Sequence, residues 1–161
     1  MAAHKPPFTL ATICNTYTFV PLQRSLDSLD GINTSNKRLL DLVIGGIRDA
    51  VQPTAPVFTF VDVRDVALAH VRALTLPEAG GKRFYVVGGF FSNPRIVDIV
   101  REKFPLLEKE GKLPEREKVI DDFPDGHWRF DNRRSREVLG LEYMGLDKCV
   151  VDAVESILAR V

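Results

Sequence analysis

The chain has 161 residues, a length for one domain that buries about 68–70% of its unfolded surface. Apolar residues make up 45% and charged residues 27%, with ten phenylalanines against one tryptophan, which excludes a disordered tail and fits a globular protein with a filled core. Lysine plus arginine equals aspartate plus glutamate at 22 each, so there is no general electrostatic pull toward nucleic acid or an anionic membrane.

The first predicted element is a short buried strand, Phe8 to Ile13, rich in β-branched residues after the Pro6-Pro7 breaker. An irregular stretch follows from Cys14 to Gly31. A helix is expected from the Thr34-Ser35-Asn36 cap, with Leu39, Leu40, Leu42, Val43 and Ile47 at helical spacing and Gly45-Gly46 as its stop. Val57 to Val61 reads as a strand and Asp62 to Leu76 as a helix, with Val66, Ala69, His70, Ala73 and Leu74 on one apolar face and Asp65 near the first turn, where it favours the helix dipole. Gly80-Gly81 turns the chain into a strand from Arg83 to Val87, ended by Gly88-Gly89. Ser92 or Asn93 caps a helix with Pro94 at its first position, running to Pro105. Residues 105–130, rich in charge and proline, read as a surface excursion. A short helix from Ser135 to Leu139 stops at Gly140, and Leu146 to Val161 closes the chain as an amphipathic helix. Alternating strands and helices predict an α/β fold, although three strands make a thin sheet.

Cys14 and Cys149 are far apart and His4, His70 and His127 are scattered, so the sequence predicts neither a disulfide framework nor a metal site. A cysteine after a buried strand, with no histidine placed beside it, is expected to be inert. No run has the length of a signal peptide's apolar core or of a membrane span, and a cytoplasmic location is the default expectation.

Phe60-Val61-Asp62-Val63-Arg64-Asp65-Val66-Ala67-Leu68-Ala69-His70 resembles the Phe-x-Asp-Val-Arg-Asp-Val-Ala-x-Ala-His run of the extended short-chain dehydrogenases/reductases, in the dihydroflavonol-reductase and methylglyoxal-reductase group. Gly81-Lys82-Arg83-Phe84, Ser28-Leu29-Asp30 leading to Asn33-Thr34-Ser35-Asn36, and Phe130-Asp131-Asn132 leading to Leu139-Gly140-Leu141 agree in order and spacing over nearly the whole chain. The resemblance implies the C-terminal part of a Rossmann-like fold, with the N-terminal Rossmann half absent. Residues 1–161 would form one such region, with 8–91 supplying the last strands and helices of the cofactor lobe and 92–161 mainly the small substrate lobe. It also implies NADP(H) as cofactor and a small aldehyde or ketone as substrate. From the residues themselves, Asp62 and Asp65 are expected to begin a helix with Arg64 pairing nearby, and His70 to be a packing histidine with no partner acid.

That family's chemistry needs a Gly-rich turn whose backbone N–H groups approach the cofactor pyrophosphate, and a tyrosine four residues before a lysine to protonate the substrate oxygen. Neither occurs: the eleven glycines hold no Gly-x-x-Gly-x-x-Gly spacing, and Tyr17, Tyr85 and Tyr143 are followed four residues on by Pro21, Gly89 and Asp147. No catalytic residue is assigned, and a shortened form unable to transfer hydride alone is expected. In relatives the first strand leads into Asn-Pro-Pro-x-Val-x-Gly-Pro, whose loop lines the nicotinamide. By that register Asn15, Thr16, Tyr17 and Thr18, together with Ser35, are the candidate cofactor contacts, with Asn15 and Thr16 in place of prolines and Val20 in place of a glycine. The strand edge left open by missing neighbours predicts a homodimer or a partner chain covering it. Two other functions remain open: a non-catalytic interaction or scaffold protein, and a redox-free cyclase or isomerase using the substrate lobe.

Overall fold

In the computed structural model, which describes residues 7–22, 28–46 and 50–161, pairing decides where the first strand forms. β1 (Thr12–Asn15) lies parallel to β4 (Arg83–Val86), with Thr12 opposite Arg83 and Asn15 opposite Val86. One residue later the chain changes neighbour: β2 (Tyr17–Phe19) runs parallel to β3 (Thr59–Asp62), with Tyr17 opposite Phe60. β3 pairs antiparallel with β5 (Gly89–Phe90). The outcome is α/β, with two small sheets, β1-β4 and β2-β3-β5, joined by an unbroken run of chain through Thr16. The strand expected over Phe8–Ile13 therefore sits further along the chain. Its β-branched residues have strand propensity, but β4 begins at Arg83, opposite Thr12, and Phe8 and Leu10 stay 68% and 70% exposed.

Most helices begin where the sequence places them. α1 (Thr34–Val43) buries Asn36, Leu39, Leu40, Leu42 and Val43, and the expected Ile47 lies outside the described residues. α2 (Val63–Thr75) follows β3 directly, and Asp62 accepts a hydrogen bond from the Arg64 N–H at its start. α3 (Asn93–Lys103) has Pro94 in its first turn and the Ser92 hydroxyl accepting from the Arg95 N–H. The excursion after it forms α4 (Pro105–Lys109) and one 3-10 turn, Arg116–Lys118. α5 (Arg133–Leu139) ends at Gly140 in the left-handed region, where glycine carries no Cβ penalty, and α6 (Leu146–Leu158) closes the fold.

Two apolar cores result. One joins Phe19, Phe60 and Phe91 to the inner faces of α1, α3 and α6; the other sets Val61, Ala69, Phe84, Val86, Leu139 and Leu141 between α2, β4 and α5. Each draws on residues from both sides of position 91. α2 corrects the sequence reading of its inner face. Ala69 is fully buried and Val66 and Ala73 pack with it, whereas His70 is exposed, its Nδ1 2.8 Å from the Val66 carbonyl oxygen. Leu68, Val71 and Leu74 are also exposed, at 38%, 58% and 88%. The apolar stripe is wider than the cover available to it.

The two edges of the β1-β4 sheet are not alike. The carbonyls of Arg83, Tyr85 and Val87 on the outer side of β4 accept from Arg134 Nη1 at 3.0 Å, Ser135 Oγ at 3.1 Å and Asn132 Nδ2 at 2.7 Å. Side chains from α5 and its cap thus take the place of a further strand. Beside β1 no such cover exists among the described residues.

A buried ionic junction binds the parts together. Asp62, fully buried, accepts from Arg64 Nε at 2.8 Å and Nη2 at 2.7 Å, while Arg64 Nη1 reaches Asp152 on α6 at 2.7 Å. Burial alone would raise the Asp62 pKa, but the Arg64 hydrogen bonds outweigh it and hold the carboxyl below its ordinary value. Asp65, whose pKa burial raises, accepts from the Met144 N–H at 3.0 Å and ties α2 to the turn before α6.

Two stability measurements follow from these contacts. The buried Asn36 pairs with Val20 twice, accepting from its N–H at 3.1 Å and donating to its carbonyl at 2.5 Å, so Asn36→Ala should lower unfolding free energy in urea by about 2 kcal/mol. Arg64→Gln should cost about 3 kcal/mol at neutral pH, the low end for a broken buried pair because Arg64 keeps partial solvent access. In that variant burial governs Asp62 and raises its folded pKa, so the deficit should narrow as pH falls toward 3.8. In the wild type, whose Asp62 pKa is lowered, the stability this group contributes is complete above 3.8 and lost as pH falls through the folded value.

Candidate functional site

The change of strand partner at Thr16 creates a cleft. A crevice where neighbouring strands diverge is the usual ligand site of an open α/β sheet. Here a space of about 490 Å³ is lined by Asn15, Thr16 and Tyr17 from the partner-switching run, Ser35 from α1, Pro56, Val57 and Thr59 from the run into β3, Tyr85 from β4, and Trp128.

Four of the five residues selected from sequence therefore meet at one place. Thr16 is fixed by β3: its hydroxyl donates to the Thr59 carbonyl at 2.9 Å and lies 2.5 Å from the Thr59 hydroxyl. Asn15 Nδ2 donates to Thr18 Oγ1 at 2.9 Å, and that hydroxyl donates in turn to the Thr16 carbonyl at 2.9 Å. Thr18 is thus engaged in bracing the turn and does not line the cleft. Tyr17 is held from behind, since Arg38 Nε donates to its hydroxyl at 3.0 Å and the guanidinium sits 5.0 Å from its ring centre. Tyr17 also packs on Phe19 and Phe91, with ring centres 5.7 and 5.6 Å away. Ser35 lies in the first turn of α1, whose cap residue Asn33 makes no side-chain hydrogen bond to the helix. The first N–H groups of that helix carry partial positive charge, which favours an acceptor or anion there.

The far wall comes from the excursion that sequence reading treats as mere surface. Trp128 contacts Phe90 edge-to-face with ring centres 5.6 Å apart. The signal available in sequence is four ring side chains, Phe123, His127, Trp128 and Phe130, within eight positions of an otherwise charged tract. Tyr85 and Thr59 also escape sequence reasoning, because β-pairing brings them to the cleft, and Val57 reaches it from the run that leads into β3.

The cleft offers polar contacts from Asn15, Thr16 and Ser35 and three aromatic walls, which suits a flat polar group. A proton-transfer pair is not among its lining, since the Tyr17 hydroxyl accepts from a guanidinium and no lysine lies there. Of the two cysteines, Cys149 is buried beside Asp62, and burial pushes its thiol pKa far up, away from thiolate chemistry. Among the described residues no cluster of His, Cys, Asp or Glu could hold a metal ion, and no helix is long and apolar enough to cross a membrane.

No family model matches the chain. It is 46% identical over 156 residues to the ketoreductase azaE of Aspergillus niger, a match covering 97% of this chain and 45% of that protein. It is 28% identical to the NADPH-dependent methylglyoxal reductase GRE2 of Saccharomyces cerevisiae, over 94% of this chain and 43% of that one. The crystal structure of Gre2 in complex with NADPH from Candida albicans superposes with a TM-score of 0.77 at 30% identity, over 98% of this chain and 46% of that one. The chain spans somewhat under half the length of the relatives it matches. With its fold and motif order, these likenesses place the chain in the extended short-chain dehydrogenase/reductase family, as a counterpart of the C-terminal half of its ketoreductase and Gre2-like members.

Proposed function

We propose that this chain supplies the nicotinamide-facing loop and the substrate side of an NADPH-dependent aldehyde or ketone reductase. The convergence of Asn15, Thr16, Tyr17 and Ser35 on one cleft, at the point where the strand run changes partner, carries the reading. Asn15 and Ser35 are the polar groups best placed to orient a nicotinamide ribose or carboxamide, and Tyr17 gives it a fixed aromatic floor. Thr18 contributes by bracing the loop. In this reading residues 8–91 serve mainly the cofactor and 92–161 mainly the substrate.

The bound nicotinamide would deliver hydride to the carbonyl carbon. This chain's residues can orient the two partners and exclude water, but the Gly-rich pyrophosphate turn and the Tyr-x-x-x-Lys acid are not in its sequence. The reading therefore assigns binding and positioning to this polypeptide, and completion of the catalytic centre to a Rossmann half held against it. The cytosol, where its two free cysteines stay reduced, is the proposed compartment.

A specific feature also favours a protein-binding role. A groove of about 370 Å³ runs between the open β1 side and α2, where Leu10, Ile13, Leu74 and Leu76 stand among the polar side chains of Thr9, His70 and Thr75. With the uncapped edge beside it, this face suits an apolar helix and strand from another polypeptide or a second copy.

Titration of NADPH with the purified chain should give a saturable change in nicotinamide fluorescence, weakened about three- to tenfold by Ser35→Ala, the loss expected of one hydrogen bond. Absence of any change would reject cofactor binding. In the same sample, NADPH should not be consumed when a carbonyl compound is added; turnover would reject the division of labour. On size exclusion at micromolar concentration the chain should run as a dimer or with a partner, and Leu74→Glu should shift it toward monomer. A sharp, cooperatively melting wild-type monomer would overturn the docking role.

A further inference from the structure

We propose that Trp128 sets the specificity of this cleft, selecting carbonyl compounds whose carbonyl is attached to a flat aromatic ring over saturated ones of the same size. The inference rests on the reductase reading above, because it concerns the substrate side of the same site.

Trp128 stands in a tract from Lys118 to Arg133 rich in charge, and it is 48% exposed. An indole on such a segment would ordinarily be free to turn away. Here it is seated on a bed of rings. Phe90 is the hub, with ring centres 5.5 Å from Phe123, 4.8 Å from His127, 5.6 Å from Trp128 and 5.0 Å from Phe130. Phe123 also meets His127 at 4.6 Å and Phe58 at 5.6 Å. The tract is pinned beside the cleft by hydrogen bonds, for Asp122 accepts from the Thr54 N–H and hydroxyl, each at 2.6 Å, and that hydroxyl accepts from the Asn93 N–H at 2.7 Å. Thr54 is fully buried. Held this way, Trp128 lines the cleft together with Pro56 and Val57.

The Phe90 contact is edge-to-face at 66°, so Phe90 does not stack flat over the indole, and the part it leaves uncovered lines the cleft. Tyr17 and Tyr85 also line the space, but Tyr17 is engaged by Arg38, Phe19 and Phe91 and Tyr85 by Phe130, so Trp128 is the ring left to meet the guest. The indole complements the quadrupole of a flat aromatic guest, which can lie offset or edge-on to it. A saturated ring of equal carbon number buries comparable area without that complement. The discrimination expected of one such aromatic contact is about two- to tenfold.

Trp128 is the sole tryptophan, so the ¹⁵N-labelled chain has one indole N–H signal to follow. Titrations with acetophenone and with cyclohexyl methyl ketone compare guests that differ in ring saturation alone. Acetophenone should move the indole signal saturably and bind about two- to tenfold more tightly than its saturated counterpart. Trp128→Leu should abolish that preference and Trp128→Phe should keep most of it, each variant retaining the dispersed amide spectrum of the parent. Equal affinities in the parent, a preference surviving Trp128→Leu, or no binding of either ketone would overturn the assignment. NADPH titrated into the same samples separates the two readings. Cofactor binding without ring preference removes the Trp128 assignment alone, and ring preference without cofactor binding keeps it while removing the cofactor contacts.

Discussion

The Asp62 carboxylate is the constraint on which the rest of this structure depends. It lies at the last residue of β3, caps α2, and is bonded by an arginine two residues on that also reaches α6. It thus sits where the two apolar cores meet, since β3 contributes Phe60 to one and Val61 to the other. A buried carboxylate is tolerable only if its acceptor sites are filled, and three Arg64 hydrogen bonds fill them. The direction in which β3 gives way to α2 is thereby settled. Upstream on the same strand, β3 sets Tyr17 opposite Phe60 and holds Thr16 against Thr59, which shapes the cleft floor.

This explains which parts of the molecule are legible in sequence. Asp62-Val63-Arg64-Asp65 encodes its own outcome: a helix start, a cap and an ion pair formed within a few residues. Ser92 before Pro94, and Gly140 after Leu139, are local signals of the same kind, and the elements they bound fall close to expectation. The first strand is different. Phe8 to Ile13 has the composition of a strand, but a strand exists only against a neighbour, and β4 begins pairing at Thr12. His70 fails for a related reason, because periodicity locates an apolar stripe without saying how much of it a neighbour covers.

The cleft divides along the same line. Asn15, Thr16, Tyr17 and Ser35 are legible because a family register ties them to known positions, and the fold gathers them. Thr18 sits in that register but turns back on the loop, a matter of side-chain hydrogen bonding that register cannot express. Trp128 is hidden for a physical reason. Its position depends on Asp122 meeting Thr54, a contact 68 residues apart in the chain, and on the ring bed around Phe90. The ring-rich tract Phe123 to Phe130 is visible in sequence, but its seat on Phe90 and the Asp122–Thr54 anchor are not.

The two edges of the β1-β4 sheet give the chain a direction. On β4, three successive outward carbonyls are taken by Arg134, Ser135 and Asn132, and Ser135 is locked further by the Tyr143 hydroxyl 2.6 Å away. Growth of the sheet there would have to displace side chains already bonded. On β1 no such bonds stand in the way among the described residues, and a groove of mixed apolar and polar lining lies alongside against α2. A strand added at β1 would find open backbone groups and, in Leu10, Ile13 and Leu74, apolar side chains beside them, whereas one added at β4 would meet side chains already bonded. The open side also adjoins Asn15 and Thr16, so whatever polypeptide docks there comes to lie against the cleft. The two edges thus differ in kind: β4 is closed by bonded side chains, while β1, free of them among the described residues, stands beside the cleft.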